Sequence, residues 1–299
     1  MTCSRVEADI LLTDERVKAV TFVGTTGVGK QVYSKAAAHG KRVQAQCEAK
    51  NHALVLEDCN LEATVNAIIN STYGCAGMRC MALPVVCVQE SIADEFVSLL
   101  KKKAEAMKLG CAYDEDTDLG PVVNAGHKEK ICNWIQKGID EGAELVLDGR
   151  NAVVPGYENG FFVGPTILDH VTPEMTVGNR EIFGPVTCIK RVKDYEEGIA
   201  VMNANPFANG SCIFTQSGYY SRKFAMETDG GMVGINVGIP VPTAYFPFSG
   251  NKDSFFGDLH VLGKDGYRFF TRAKTVTTHW FDEAAGKRKV GTWEGSTEA

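Results

Sequence analysis

Val17-Lys18-Ala19-Val20-Thr21-Phe22-Val23 runs straight into Gly24-Thr25-Thr26-Gly27-Val28-Gly29 and then into residues 30–38, Lys-Gln-Val-Tyr-Ser-Lys-Ala-Ala-Ala. The first seven residues are mostly β-branched or apolar and read as a strand. The glycines read as a tight turn, and the alanine-rich stretch as a helix. Strand, glycine turn and helix together make the elementary unit of an α/β fold.

The same alternation continues outward. Residues 42–46 and 53–56 read as buried strands. Leu61, Val65, Ile68 and Ile69 carry helical spacing over 60–73, and the helix is expected to end at Gly74. A strand at 84–88 is followed by Ser91 and Asp94 at capping-box spacing, ahead of a helix with Phe96, Leu99 and Leu100 on one side. Ile131, Trp134, Ile135 and Ile139 mark an amphipathic helix over 124–142, with a strand at 143–147. Strand 186–192, helix 195–203 and strand 211–215 complete the series. The expectation is an α/β fold with mainly parallel sheets covered by helices. Residues 275–280 alternate like an exposed or intersubunit strand, and 282–299 are polar and expected to be disordered.

Composition narrows the function. The 299 residues carry 31 basic and 37 acidic side chains, a net charge of −6, with 44% hydrophobic residues. No basic run is longer than the three residues of Lys101-Lys102-Lys103, so nucleic acid and anionic membranes are not expected partners. Apolar runs fall far short of the ~20 residues of a membrane span. The start MTCSRVEADI has neither a signal core nor transit-peptide character, so as written the chain reads as cytoplasmic. Ten scattered cysteines without a CxxC pair, and six histidines without HExxH spacing, point to a reducing compartment and to no metal site.

The glycine turn admits three readings. Residues 24–30 fit most of a GxxxxGK[ST] phosphate loop, but Gln31 stands where a Mg²⁺-binding hydroxyl belongs. A glycine turn opening a helix also suits the pyrophosphate of a dinucleotide, and it can be simply a tight turn. Elsewhere, Cys80 follows Gly74, Gly77 and Arg79; a nearby guanidinium would favour the thiolate and make Cys80 a candidate nucleophile. In Arg180-Glu181-Ile182-Phe183-Gly184-Pro185, a carboxylate suited to ribose hydroxyls and an aromatic ring suited to a nicotinamide precede a turn.

Taken in order and spacing, FVGTTGVG (22–29), KNH (50–52), GMRCMAL (77–83), EIFGPV (181–186), NANPFANG (203–210) and PFSGNKDSFFGD (247–258) resemble the aldehyde dehydrogenase superfamily. HGKRVQ (39–44), MRCMAL, DLGPVV (118–123), GYENGFFVGPTI (156–167) and NVGIPVP (236–242) look most like its CoA-acylating methylmalonate-semialdehyde branch. The similarity runs from about Val17 to Trp280.

The resemblance implies a division into 1–48 as the C-terminal remnant of an NAD-binding domain, 49–248 as the catalytic domain, 249–281 as a return segment with an oligomerisation strand, and 282–299 as a tail. It implies Cys80 as the nucleophile and Arg79 as a partner for the substrate carboxylate. Gly24, Thr25 and Gly29 would meet the NAD pyrophosphate, Glu181 the nicotinamide ribose, Phe183 the ring's surroundings, and Cys47 the carboxamide through its backbone. Gln46 stands where the family's general-base glutamate belongs. Without that base a thioester would persist for coenzyme A, and the branch converts malonate or methylmalonate semialdehyde, with loss of the carboxylate as CO₂, to acetyl-CoA or propanoyl-CoA in valine and pyrimidine breakdown.

Glu48 and Ala208 replace residues that are usually glycine. The family's first nucleotide-binding segment, with its lysine and its oxyanion-hole asparagine, precedes Val17 and is missing from these 299 residues, which leaves an unpaired sheet edge. A missing front end would also have carried any mitochondrial targeting peptide. Dimers or tetramers are implied, and a non-catalytic chain associating with full-length relatives is the alternative.

Overall fold

A computed structural model describes residues 4–280; the tail at 282–299 lies outside them. The chain opens with α1 (Arg5–Thr13), β1 (Ala19–Val23), α2 (Thr26–Ala38) and β2 (Arg42–Gln46). α1 starts on a full capping box: the Ser4 side chain accepts from Val6 N, and Glu7 reaches back to the Ser4 backbone N–H at 2.7 Å. β1 and β2 run parallel, pairing Ala19 with Arg42 and Val23 with Gln46. Leu12, Ala36 and Val43, with Val20 and Val32, form the small core that seats both helices on this sheet. The glycine turn is tighter than its sequence suggests. α2 begins at Thr26, not Lys30, so Gly27 and Gly29 lie inside its first turns.

The next elements are β3 (His52–Val55), α3 (Leu61–Tyr73), β4 (Val85–Gln89), α4 (Glu90–Glu105), α5 (Ala125–Asp140), β5 (Glu144–Leu147), β6 (Thr166–Asp169), β7 (Val186–Val192), α6 (Tyr195–Asn203), β8 (Phe207–Ala208), β9 (Gly210–Phe214), α7 (Gly218–Glu227) and β10 (Met232–Ile235). Seven of these strands form one sheet in the order β10-β9-β3-β4-β7-β6-β5. Every pairing in it is parallel except β5 with β6. The central strands are buried on both faces, with Ala53, Val55, Val85, Val86, Val186 and Ile189 fully inside, which is why they read as unbroken apolar runs.

The capping box expected at Ser91 and Asp94 does not form. α4 starts at Glu90; Ser91 Oγ donates to Glu57 at 2.8 Å, and Asp94 pairs with Arg191 at 2.7 Å. Both side chains have found partners far away in sequence in place of the local backbone.

The chain then returns to the first sheet. β11 (Asn251–Lys252) pairs with β8, and β12 (Phe255–Gly257) lies antiparallel to β2, ahead of α8 (Gly263–Phe270). Between these two strands, fully buried Ser254 ties the segment after β2 to the two-stranded β8–β11 ladder. Its carbonyl accepts from Cys47 N at 2.8 Å; its hydroxyl donates to Glu48 O at 2.7 Å and accepts from Ala208 N at 3.1 Å. Ala208 itself is buried on β8. The order β1-β2-β12 leaves the outer edge of β1 without a strand partner among the described residues, and Val23 there is 76% exposed. Residues 272–280 are exposed and belong to no strand within the chain. Among the described residues no helix is long and apolar enough to cross a membrane.

Candidate active site

Cys80 is presented by a turn that only a particular backbone can make. α3 stops at Gly74, and Cys75, Ala76 and Gly77 then take φ of 53°, 54° and 69° in succession. Two of these three left-handed residues carry side chains, a strained choice. Gly77 cannot be larger, because a Cβ there would fall 2.1 Å from the Gly184 carbonyl oxygen. That contact lays the Cys80 loop against the turn that carries Glu181 and Phe183.

Two buried asparagines hold Cys80 from behind. Asn51 Nδ2 donates to the carbonyls of Cys80 and Ala82 at 2.9 and 2.8 Å, while its own Oδ1 accepts from Gly210 N at 2.9 Å. Asn209 Nδ2 donates to the same Cys80 carbonyl at 2.9 Å. Asn51 stands at the entry to β3 and Asn209 between β8 and β9, so neighbouring strands of the large sheet fix the loop. Both lie in stretches quoted for the resemblance, KNH and NANPFANG, but neither was expected to act on Cys80.

The Cys80 thiol reaches solvent. The surrounding protein nevertheless pushes its pKa up, and the charge of Glu181 adds to this; the backbone N–H groups of Cys80 and Met81 pull the other way without prevailing. The expectation that Arg79 would favour the thiolate is not met. Its Nε lies 3.2 Å from Cys75 Sγ and its Nη1 donates to Asn70 O at 3.3 Å, with the guanidinium folded over Gly74. Arg79 is thus beside the neighbouring exposed cysteine, and not among the charges acting on Cys80.

Glu181 accepts from Ala49 N at 3.2 Å, and its pKa is pushed up to about 7, chiefly by burial and then by the negative charge of Glu48. Phe183 sits at φ 60° and is 38% exposed. Its carbonyl accepts from His127 Nε2 at 2.7 Å, and the two rings meet edge to face. His127, after Asn51 and Asn209, is a third site residue to which the sequence assigns no role.

The expected pyrophosphate residues are placed as follows. A Cβ on Gly24 would run into the Phe22 ring and one on Gly29 into Cys47 Sγ, so internal packing accounts for both glycines; around Gly27 the space is open. Thr25 is the N-cap of α2, but its side chain caps nothing. In its place Glu48 Oε2 accepts from Thr26 N at 2.9 Å. Lys30, which a phosphate loop would aim at phosphates, is paired with Asp253 at 3.1 Å and lies over the Phe256 ring. The Cys47 N–H is taken by Ser254, and its thiol is pushed up to about 11, first by burial and then by Glu48. Gln46 is buried and donates to Phe248 O at 3.3 Å.

The structure therefore gathers Cys80, Glu181, Phe183 and Glu48 about one site, and turns Arg79 and Gln46 to structural contacts. An open helix N-terminus at Gly27, a carboxylate for ribose hydroxyls and an exposed ring fit one end of a nicotinamide dinucleotide, with Glu48 already seated on the first amide.

Relatives of known kind match most of the chain. The chain is 50% identical over 270 residues to malonate-semialdehyde dehydrogenase 2 of Bacillus mycoides (strain KBAB4), covering 90% of this chain and 56% of that protein. It is 50% identical over 269 residues to the acylating mitochondrial methylmalonate-semialdehyde dehydrogenase of Arabidopsis thaliana, covering 90% and 44%. A solved structure from Sinorhizobium meliloti 1021, assigned as a methylmalonate-semialdehyde dehydrogenase and complexed with NAD, superposes with a TM-score of 0.91 at 42% identity over 93% of this chain and 57% of that one. The chain thus spans about half the length of the curated relatives it matches. The profile of the aldehyde dehydrogenase family matches residues 3–276, and the chain belongs to that family.

Proposed function

We propose that the chain carries the nucleophile-bearing part of an NAD-dependent, CoA-acylating oxidation of malonate or methylmalonate semialdehyde. The observation that carries the reading is the solvent-reaching Cys80 thiol, its carbonyl gripped by two buried amides, on a loop packed against the Glu181 turn.

Cys80 Sγ adds to the aldehyde carbonyl to give a thiohemiacetal, and the backbone N–H groups of Cys80 and Met81 steady the sulfur. The oxidised nicotinamide, when bound, supplies a positive ring that offsets the raised thiol pKa and an acceptor for the hydride. Glu181 would hold the ribose hydroxyls once ionised. Gln46, neutral and tied to Phe248, activates no water, so the thioester on Cys80 waits for the thiol of coenzyme A. The acylating relative in Arabidopsis thaliana supports that outcome. The test holds the purified chain with NAD⁺, CoA and malonate semialdehyde and follows reduced cofactor and acyl-CoA together. Formation of both supports the reading; reduced cofactor with free acid as the product overturns its CoA half.

A second reading, association with longer relatives or self-assembly into dimers or tetramers, is favoured by the free edge of β1 and the exposed Val6, Ile10 and Leu11 on α1. Sedimentation of the chain alone and mixed with a full-length relative separates these outcomes.

A further inference from the structure

The first turn of α2 offers its free N–H groups to whatever anion lies before it. Thr25 leaves them uncapped, and Gly27 leaves the approach open. The group that arrives is a carboxylate of the protein itself: Glu48, from the segment between β2 and β3, accepts from Thr26 N at 2.9 Å. Its backbone is held there by Ser254, whose hydroxyl donates to Glu48 O at 2.7 Å, so the carboxylate is carried on fixed chain. The same charge raises the pKa values of both Cys47 and Glu181. Glu48 thus lies between the helix N-terminus and the ribose-binding carboxylate, across the path a dinucleotide would span. Lys30, whose charge acts on the neighbouring Cys47, is already paired with Asp253.

We propose that Glu48 is a built-in competitor for the pyrophosphate of the dinucleotide, occupying the α2 N-terminus until it is displaced. The proposal rests on the reading of this site as a dinucleotide site. An entering pyrophosphate must break the Thr26–Glu48 hydrogen bond and face the freed carboxylate, so the chain binds dinucleotides weakly for a reason that resides in one side chain.

The test is calorimetric titration of NAD⁺ and, separately, of inorganic pyrophosphate into the wild-type chain and into Glu48→Ala, Glu48→Gln and Glu105→Gln. Glu105→Gln removes the same charge from the far end of α4 and serves as the control. Glu48→Ala is expected to bind both ligands roughly 10-fold tighter or more, the scale of a charge-assisted hydrogen bond, with Glu48→Gln in between and Glu105→Gln at the wild-type value. Equal affinity of wild type and Glu48→Ala for NAD⁺, or an equal gain in Glu105→Gln, overturns the competitor role and leaves the dinucleotide reading standing. Pyrophosphate binding that tightens in Glu48→Ala while NAD⁺ binds no variant upholds the competitor and overturns the dinucleotide reading. Binding of neither ligand by any variant overturns both.

Discussion

Asn209 donates its side-chain amide to the carbonyl of Cys80 at 2.9 Å across 129 residues of sequence. Asn51 doubles that grip, and carries two further bonds, to Ala82 O and from Gly210 N. The two are therefore not equivalent. Asn209→Ala leaves Cys80 held from one side; its expected effect is a several-fold loss in kcat with the fold retained. Asn51→Ala strands the Gly210 N–H and the Ala82 carbonyl, while Asn209 still holds the Cys80 carbonyl, at a cost of about 2–4 kcal/mol from buried groups left unpaired. Thermal unfolding of both variants checks the difference, and equal melting points would contradict it.

Glu181 gives the site a pH dependence of definite sign. Its pKa lies at about 7 in the folded chain against an ordinary 4.5, so the fold favours the neutral acid. Its contribution to stability is full below about pH 4.5, declines as pH rises through about 7, and is constant above that. Only the ionised carboxylate accepts from both ribose hydroxyls, so NAD⁺ affinity is expected to rise with pH through about 7. Glu48→Ala removes one of the charges that raise Glu181 and should move that midpoint down. Binding titrations between pH 5.5 and 8.5 check both statements; an affinity flat across the range contradicts them.

Gly77 is where the Cys80 loop and the Glu181 turn touch. Gly77→Ala demands both φ of 69° and room that the Gly184 carbonyl fills. The expected cost is about 2 kcal/mol or more, with the loop pushed off the turn and kcat falling further than the loss of folded protein explains. Activity corrected for the folded fraction is the measurement.

Much of this is legible in the sequence. The helix read at 195–203 matches α6, Tyr195–Asn203, because its start is signalled locally: Asp194 accepts from Glu197 N. Asn60 does the same for α3. Ser91 misled because its hydroxyl serves Glu57, 34 residues away, and Arg79 because an arginine's position says nothing of where its long stem folds. The Ser4–Glu7 capping box is equally local, its S-x-x-E spacing standing in the sequence directly ahead of α1. Glu48 was legible as an intruding side chain near a cofactor; that it caps α2 needs the turn between β2 and β3, which no local pattern encodes. Asn51 and Asn209 meet at Cys80 only once β3 and β9 pair.

Trapping the acyl group tests the central claim most directly. The chain is held with NAD⁺ and malonate semialdehyde without CoA, quenched in acid, digested and read by mass spectrometry. The account predicts an acyl mass on the peptide bearing Cys80, formed with one equivalent of reduced cofactor and removed by added CoA, and none on Cys75. An unmodified Cys80, or acyl mass carried by another cysteine, contradicts it.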